Sequence, residues 1–161
     1  MRRLRQFIGH VTARVEVAEQ ARAEAALPPS ARTLFRAMPV ADRRHAIDVA
    51  ARLASVGHHD RDLVTAALLH DAAKGARMRL WHRVAGVVLE ALAPRLLRRL
   101  ASPREASPLH GFYLYLEHAR LSAEAARDAG CGERVARFIR GDVPEQDAPL
   151  LAALHRADAA S

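Results

Sequence analysis

His45 and the dipeptide His70-Asp71 are the side chains whose types and spacing offer chemistry. Imidazole nitrogens and carboxylate oxygens, brought together without a thiolate, make a mixed N/O ligand set for a divalent cation. His45 falls in a predicted helix over 41–56, for which Gly57 is the C-terminal stop. His70 falls near the end of the next predicted helix, which Asp60 or Asp62 opens, which carries Leu63, Val64, Ala67 and Leu68, and which ends near Ala73, before Gly75. The turn between the two helices centres between His58 and His59, so His45 stands 13.5 positions before that centre and His70 11.5 after it. At about 1.5 Å of rise per residue, an antiparallel pair holds them within about 3 Å of one level. Two imidazoles and a carboxylate then converge across one groove, as bundle metal sites do.

The elements that must position these residues are helices. The 161 residues include 35 Ala and 20 Leu against 8 Gly and 8 Pro, half are apolar, and no strand-like alternation is present. Good helix formers dominate, and the length supports one sizeable core. The expected fold is therefore all-α, a single bundle of about seven or eight helices. Beyond the two above, helices are predicted over 4–27 (stopped by Pro28-Pro29), from a Ser30 cap through Met38, over 79–100 as one helix or a pair broken at Pro94, and over 109–129, 132–141 and 146–159. Residues 101–108 read as a loop.

Composition narrows the function. One cysteine, Cys131, excludes an internal disulfide and any zinc site built on cysteines, so a reducing cytoplasm is the expected compartment. The first twenty residues lack the uninterrupted apolar core of a secretory signal, and no stretch reaches the roughly 18–20 apolar residues of a membrane span. The net charge of +7 comes from 24 arginines and one lysine against 18 acids. A bias toward Ala and Arg throughout the chain accounts for it, so no nucleic-acid partner is expected, although positive charge favours phosphate-bearing ligands. There is no phosphate-binding G-x-x-x-x-G-K-[ST] loop, no G-x-G-x-x-G, no G-x-S-x-G and no H-E-x-x-H.

The segments RRHAIDVAARL, LVTAALLHDAAKG, EHARLSAEAARDAGCGERVARFIR and LLAALHRADA together resemble the HD domain superfamily of metal-dependent phosphohydrolases, over roughly residues 41–160. The resemblance implies a 1–40 helical extension followed by an HD-type domain over 41–161, with a basic amphipathic insert at about 77–104. It implies the metal ligands His45, His70, Asp71 and Asp158. One divalent cation of the Mn, Fe, Mg, Co or Ni class would polarise a phosphoryl oxygen and lower the pKa of a bound water. The implied substrate is a phosphoester, a nucleotide or related phosphate. Lys74, the only lysine, occupies the last position of an HD-x-x-K run, where its ammonium would steady phosphate charge. His155, one turn before Asp158, is the rival for the last ligand position. Hairpin geometry alone puts Asp158 level with Cys131, so the last helix must cross obliquely to deliver it. His118 is expected to be a substrate contact or general acid/base. The histidine pair of two-metal relatives is missing around 141–143, which favours one metal; Asp142 is the candidate for a second metal or a substrate contact. The alternative within the same resemblance is a non-catalytic regulatory module that binds a nucleotide or a partner protein.

The remaining polar residues carry weaker expectations. His58 and His59 read as helix-end residues, and His10 and His82 as surface residues among arginines. His110, ahead of Phe112, Tyr113 and Tyr115, packs or lines a pocket, and with Asp142 it is a candidate for a second metal or a substrate contact. Arg44 and Arg140 are candidate phosphate clamps. The basic segment over 77–104 reads first as an insert packed on the bundle with solvated arginines, and alternatively as a lid, a dimer contact or a peripheral contact with an anionic membrane.

Overall fold

The computed structural model describes residues 14–161, and every regular element among them is helical. The first part of the helix expected over 4–27, residues 4–13 with His10, lies outside the described residues. Nine α-helices are present there, α1 (Val17–Ala25), α2 (Pro29–Ala37), α3 (Val40–Ser55), α4 (Arg61–Leu69), α5 (Leu80–Leu92), α6 (Pro94–Leu100), α7 (His110–Asp128), α8 (Glu133–Arg140) and α9 (Ala148–Ala160), with a short 3-10 turn over Glu145–Asp147. There are nine helices rather than seven or eight because Pro94 starts a new helix directly after α5. The two cannot be continuous, since proline lacks the N–H and crowds the preceding turn.

α4 is the axle of the bundle. Six of its nine residues are buried, on all sides, and it packs against α2, α3, α7, α8 and α9. A helix apolar all round belongs in the interior. Alanines at 31, 46, 66, 67, 123, 126 and 136 have no solvent exposure and let neighbouring helices approach closely, while Phe35, Leu53, Leu63 and Phe138 fill the volume between them. Leu27, Ala31, Phe35 and Met38 belong to this same core, so the described part of the 1–40 extension is built into the bundle. α5 and α6 pack on α7 apart from that core, around Met78, Leu97, Phe112 and Leu114.

The helix ends show where local signals were read well and where they were not. Asp60 caps α4 by accepting a hydrogen bond from Leu63 N at 3.0 Å, and Gly57 takes a φ of +85° at the end of α3. Ser30 does not cap α2. Pro28 holds that position, and the Ser30 hydroxyl donates instead to the carbonyl of Ala129 at 2.5 Å, tying α2 to the end of α7. α4 ends at Leu69, not near Ala73; residues 70–77 continue as turns, with Gly75 at a φ of +56°.

Candidate metal centre

Three helices deliver the candidate ligands. His45 lies in the second turn of α3, His70 is the C-terminal cap of α4, and Asp158 lies near the end of α9. α9 packs against both α3 and α4, which makes the oblique crossing that simple hairpin geometry lacked. Asp158 Oδ1 is 2.8 Å from His45 Nε2 and 3.6 Å from His70 Nε2. The two imidazole rings meet edge to face with centroids 5.4 Å apart. One donor atom from each of His45, His70 and Asp158 lies within 4.8 Å of the other two. His155 is exposed at the rim of the same cleft, so Asp158 is the residue that α9 presents to the two histidines.

Asp71 reaches this trio through His70. Its Oδ1 is 3.5 Å from His70 Nε2, and its Oδ2 accepts a 2.6 Å hydrogen bond from Lys74 Nζ. The turn that makes this possible is held from across the bundle, where Ser122 Oγ on α7 accepts the Ala73 N–H at 3.0 Å. Lys74 N also donates to the Asp71 carbonyl at 3.0 Å.

The second ring nitrogen of His70 fixes its protonation pattern. His70 Nδ1 is 2.8 Å from the carbonyl of Ala67, a group that only accepts, so Nδ1 carries the hydrogen and the lone pair of the neutral ring sits on Nε2. His118 repeats the arrangement one helix away, with Nδ1 2.9 Å from the Tyr115 carbonyl.

His70 Nε2 and Asp71 Oδ1 are both buried without a hydrogen-bond partner. A buried polar atom left unpaired is costly, and a bound cation is one way to satisfy it. Ligand atoms about 2.0–2.2 Å from an ion stand about 3 Å apart when adjacent and about 4 Å apart when opposite. The separations Asp158 makes within the trio, 2.8 and 3.6 Å, suit such a shell, whereas the predicted ligand Asp71 lies outside the trio and touches only its His70 member. The residues present therefore fit a divalent cation.

The electrostatics are those of opposite charges that shift one another. Burial opposes protonation of His70, but the Asp71 charge and the Asp158 carboxylate outweigh it and raise its pKa to about 9. Burial likewise opposes the charge on Asp71, but His70 and Lys74 hold its carboxyl well below the usual range. Asp158 is also held low, against burial, by His45 and His70. His118 moves the other way. Burial and the nearby Lys74 ammonium lower its pKa, which favours the neutral ring.

A cleft of about 190 Å³ opens beside these groups, lined by His70, His118, Arg140, His155 and Asp158 among others. His118 and Arg140 thus stand at the site. The Arg140 guanidinium is held by Glu133 at 2.8 Å and Asp142 at 3.1 Å. Asp142 does not line the cleft; its half-exposed carboxylate faces Arg140. Arg44 is committed elsewhere, between Glu19 at 2.5 Å and Asp48 at 2.6 Å. His110 is buried at a different cleft with Arg77 and Trp81, its Nδ1 3.1 Å from the Ser102 carbonyl. His82 is a correction to the surface reading. It is 3% exposed, stacked on Trp81, and bonded to Arg79 N and the Pro108 carbonyl, because α5 turns this face toward α7.

Two supporting groups escaped the sequence reading. Ser122 gave a faint signal, a hydroxyl one helical turn after His118 beside the apolar Ala123 and Ala126. The other is Asp42, 1% exposed, whose carboxylate accepts from Arg83 Nη2 at 2.8 and 2.9 Å. Nothing in the sequence pairs positions 41 residues apart on α3 and α5.

Comparison of the chain with models of known protein families, with curated proteins and with solved structures gives no match. The reading of the site rests on its own geometry and on the motifs described above.

Proposed function

We propose that the chain is an HD-type, divalent-metal-dependent phosphohydrolase acting on a phosphoester, with a nucleotide or related phosphate as the substrate class. One observation carries the reading: His45, His70 and Asp158 converge from three helices, and His70 Nε2 and the neighbouring Asp71 Oδ1 are buried without a hydrogen bond.

His45, His70 and Asp158 would hold the cation, with Asp71 joining from the His70 side. When bound, the ion would supply the charge that polarises a phosphoryl oxygen and activates water near neutral pH. Lys74 anchors the far oxygen of Asp71, which leaves Oδ1 free to turn toward the site, and its ammonium adds positive charge beside the cleft. His118, kept neutral by its surroundings and with Nδ1–H committed to Tyr115, offers Nε2 as an acceptor for a proton. Arg140 sits at the rim, where a guanidinium can orient a phosphate oxygen.

The test is elemental analysis of the purified protein followed by phosphate release from a panel of nucleotides with Mn²⁺. About one equivalent of metal per chain, with release abolished by chelation and restored by the ion, is the expected result. Metal retained without turnover on any phosphoester would favour the regulatory module. Failure to bind any divalent ion would remove the hydrolase reading.

A further inference from the structure

α5 is turned inside out. The fully buried residues of the face it packs on α7 are His82 and Gly86, and a Cβ added at Gly86 would meet the Tyr115 ring at 2.8–2.9 Å. Its three valines, Leu80 and Leu92 face solvent, and Trp81, stacked on His82, stays about half exposed; Leu89 is half-buried on the packed side. Leu80, Trp81, Val84, Val87, Val88 and Leu92 are all 37% exposed or more. At 3.6 residues per turn these six positions fall within an arc of about 140°. Scattered exposed apolar residues are ordinary on a protein surface, but a continuous apolar stripe is not. Of the eleven large apolar side chains exposed among the described residues, seven lie between positions 80 and 96.

The charge around this stripe has one sign. Of the seven arginines between 76 and 104, Arg77 pairs with Glu105 and Arg83 with Asp42. The other five, Arg79, Arg95, Arg98, Arg99 and Arg104, are exposed and form no ion pair among the described residues. The single acid in the segment is Glu90, which accepts the Tyr115 hydroxyl at 2.6 Å and lies outside the apolar arc. A second copy of the chain laid symmetrically on this face would bring two such uncompensated arginine sets together. A nucleic acid would satisfy the arginines and leave the valines wet. An anionic lipid surface answers both, since headgroup phosphates meet the guanidiniums while the apolar arc enters the headgroup–acyl boundary.

We propose that the solvent-facing side of α5, with the arginines of α6, is a docking surface for an anionic phospholipid bilayer, on which the protein lies peripherally. No described helix is long and apolar enough to cross a membrane, so the contact is one of lying on the surface. The proposal is independent of the metal centre.

Trp81 is the only tryptophan in the chain and is 46% exposed on the proposed face, so its emission reports the contact directly. Full-length protein is titrated with vesicles of phosphatidylcholine alone and of phosphatidylcholine with about one third phosphatidylglycerol. Sedimentation with the anionic vesicles, a blue shift of Trp81, and at least tenfold weaker binding to the neutral vesicles are expected. Val84→Asp with Val88→Asp should reduce binding at least tenfold with an unchanged thermal transition, because both side chains are exposed. Arg98→Glu with Arg99→Glu should reduce it similarly and flatten its salt dependence. Absence of a blue shift on anionic vesicles overturns the proposal. So does binding that survives Val84→Asp with Val88→Asp, for example through Arg2, Arg3 and Arg5. A blue shift that follows protein concentration without lipid, together with dimer formation in sedimentation velocity, would assign the face to a second copy instead.

Discussion

α4 and α5 are both apolar helices, and the bundle uses them in opposite ways. α4 buries six of its nine residues, and α5 buries only His82 and Gly86 of its thirteen. α4 is gripped on every side, which makes its C-terminus a rigid platform for His70. α5 is fastened at a few points instead, by the Asp42–Arg83 pair, by close contact with α7 at Gly86 and Gly111, and by the adjoining Leu97 plug. Hydrophobicity alone therefore does not say where a helix sits. The inward face must be able to seat, and α5 seats through small and polar residues.

The contrast is sharpest if the site belongs wholly to the α3–α4–α9 side. His70→Ala or Asp158→Ala should lower phosphate release at least about 100-fold and remove the bound metal, with the helical circular dichroism unchanged. The same assay on the Val84→Asp, Val88→Asp protein with a soluble substrate should give wild-type rates. If the α5 variant lost turnover as well, the two regions would be one functional unit.

The polar fastening of α5 can be cut. Arg83→Ala leaves the Asp42 carboxylate buried without its partner, and urea unfolding should show a loss of about 3 kcal/mol. Replacing both, as Asp42→Leu with Arg83→Met, should recover much of that loss. Native-state hydrogen exchange should separate the regions in the wild type. Amides of α5 are expected to exchange about 100-fold faster than those of α4, through local opening that leaves the core intact.

Smaller effects probe the supports of the core. Ser122→Ala removes the acceptor of the Ala73 N–H and should cost about 1 kcal/mol, with a modest fall in turnover as the Asp71 turn loosens. Arg134 joins Asp60, Asp62 and Asp147. Burial opposes the Asp60 charge, yet the Leu63 N–H and Arg134 hold its carboxyl below the ordinary range, and Arg134 does the same for Asp147. Depressed carboxyl pKa values contribute stability that is present above the ordinary value of about 4 and lost as pH falls through the lowered one. Arg134→Ala should therefore raise the pH of acid unfolding, as followed by circular dichroism.

Much of this molecule was legible in its sequence, for identifiable reasons. The His45–His70 convergence followed from two helices around one glycine-stopped turn, because antiparallel packing preserves level. Asp158 came from motif resemblance alone, since delivering it depends on the crossing of α9, which no local spacing records. His82 was misread because arginines surround it along the chain, whereas a helix sorts its residues by face. Ser30 looked like a cap, but Pro28 ahead of Pro29 had already set the entry to α2, which freed its hydroxyl for Ala129. The end of α4 was placed four residues late because Ala72 and Ala73 favour helix, while the tertiary contact of Ser122 with Ala73 favours the turn. Asp42 and Arg83 were invisible as a pair, being joined only through space.

The imidazoles of His70 and His118 are oriented by the main-chain oxygens of Ala67 and Tyr115 rather than by side chains. Those acceptors exist whatever residue occupies positions 67 and 115, so no point mutation there can delete them. Which nitrogen stays bare is thus inherited from helical geometry itself, and drift at the neighbouring positions can alter fit without rewriting the tautomer.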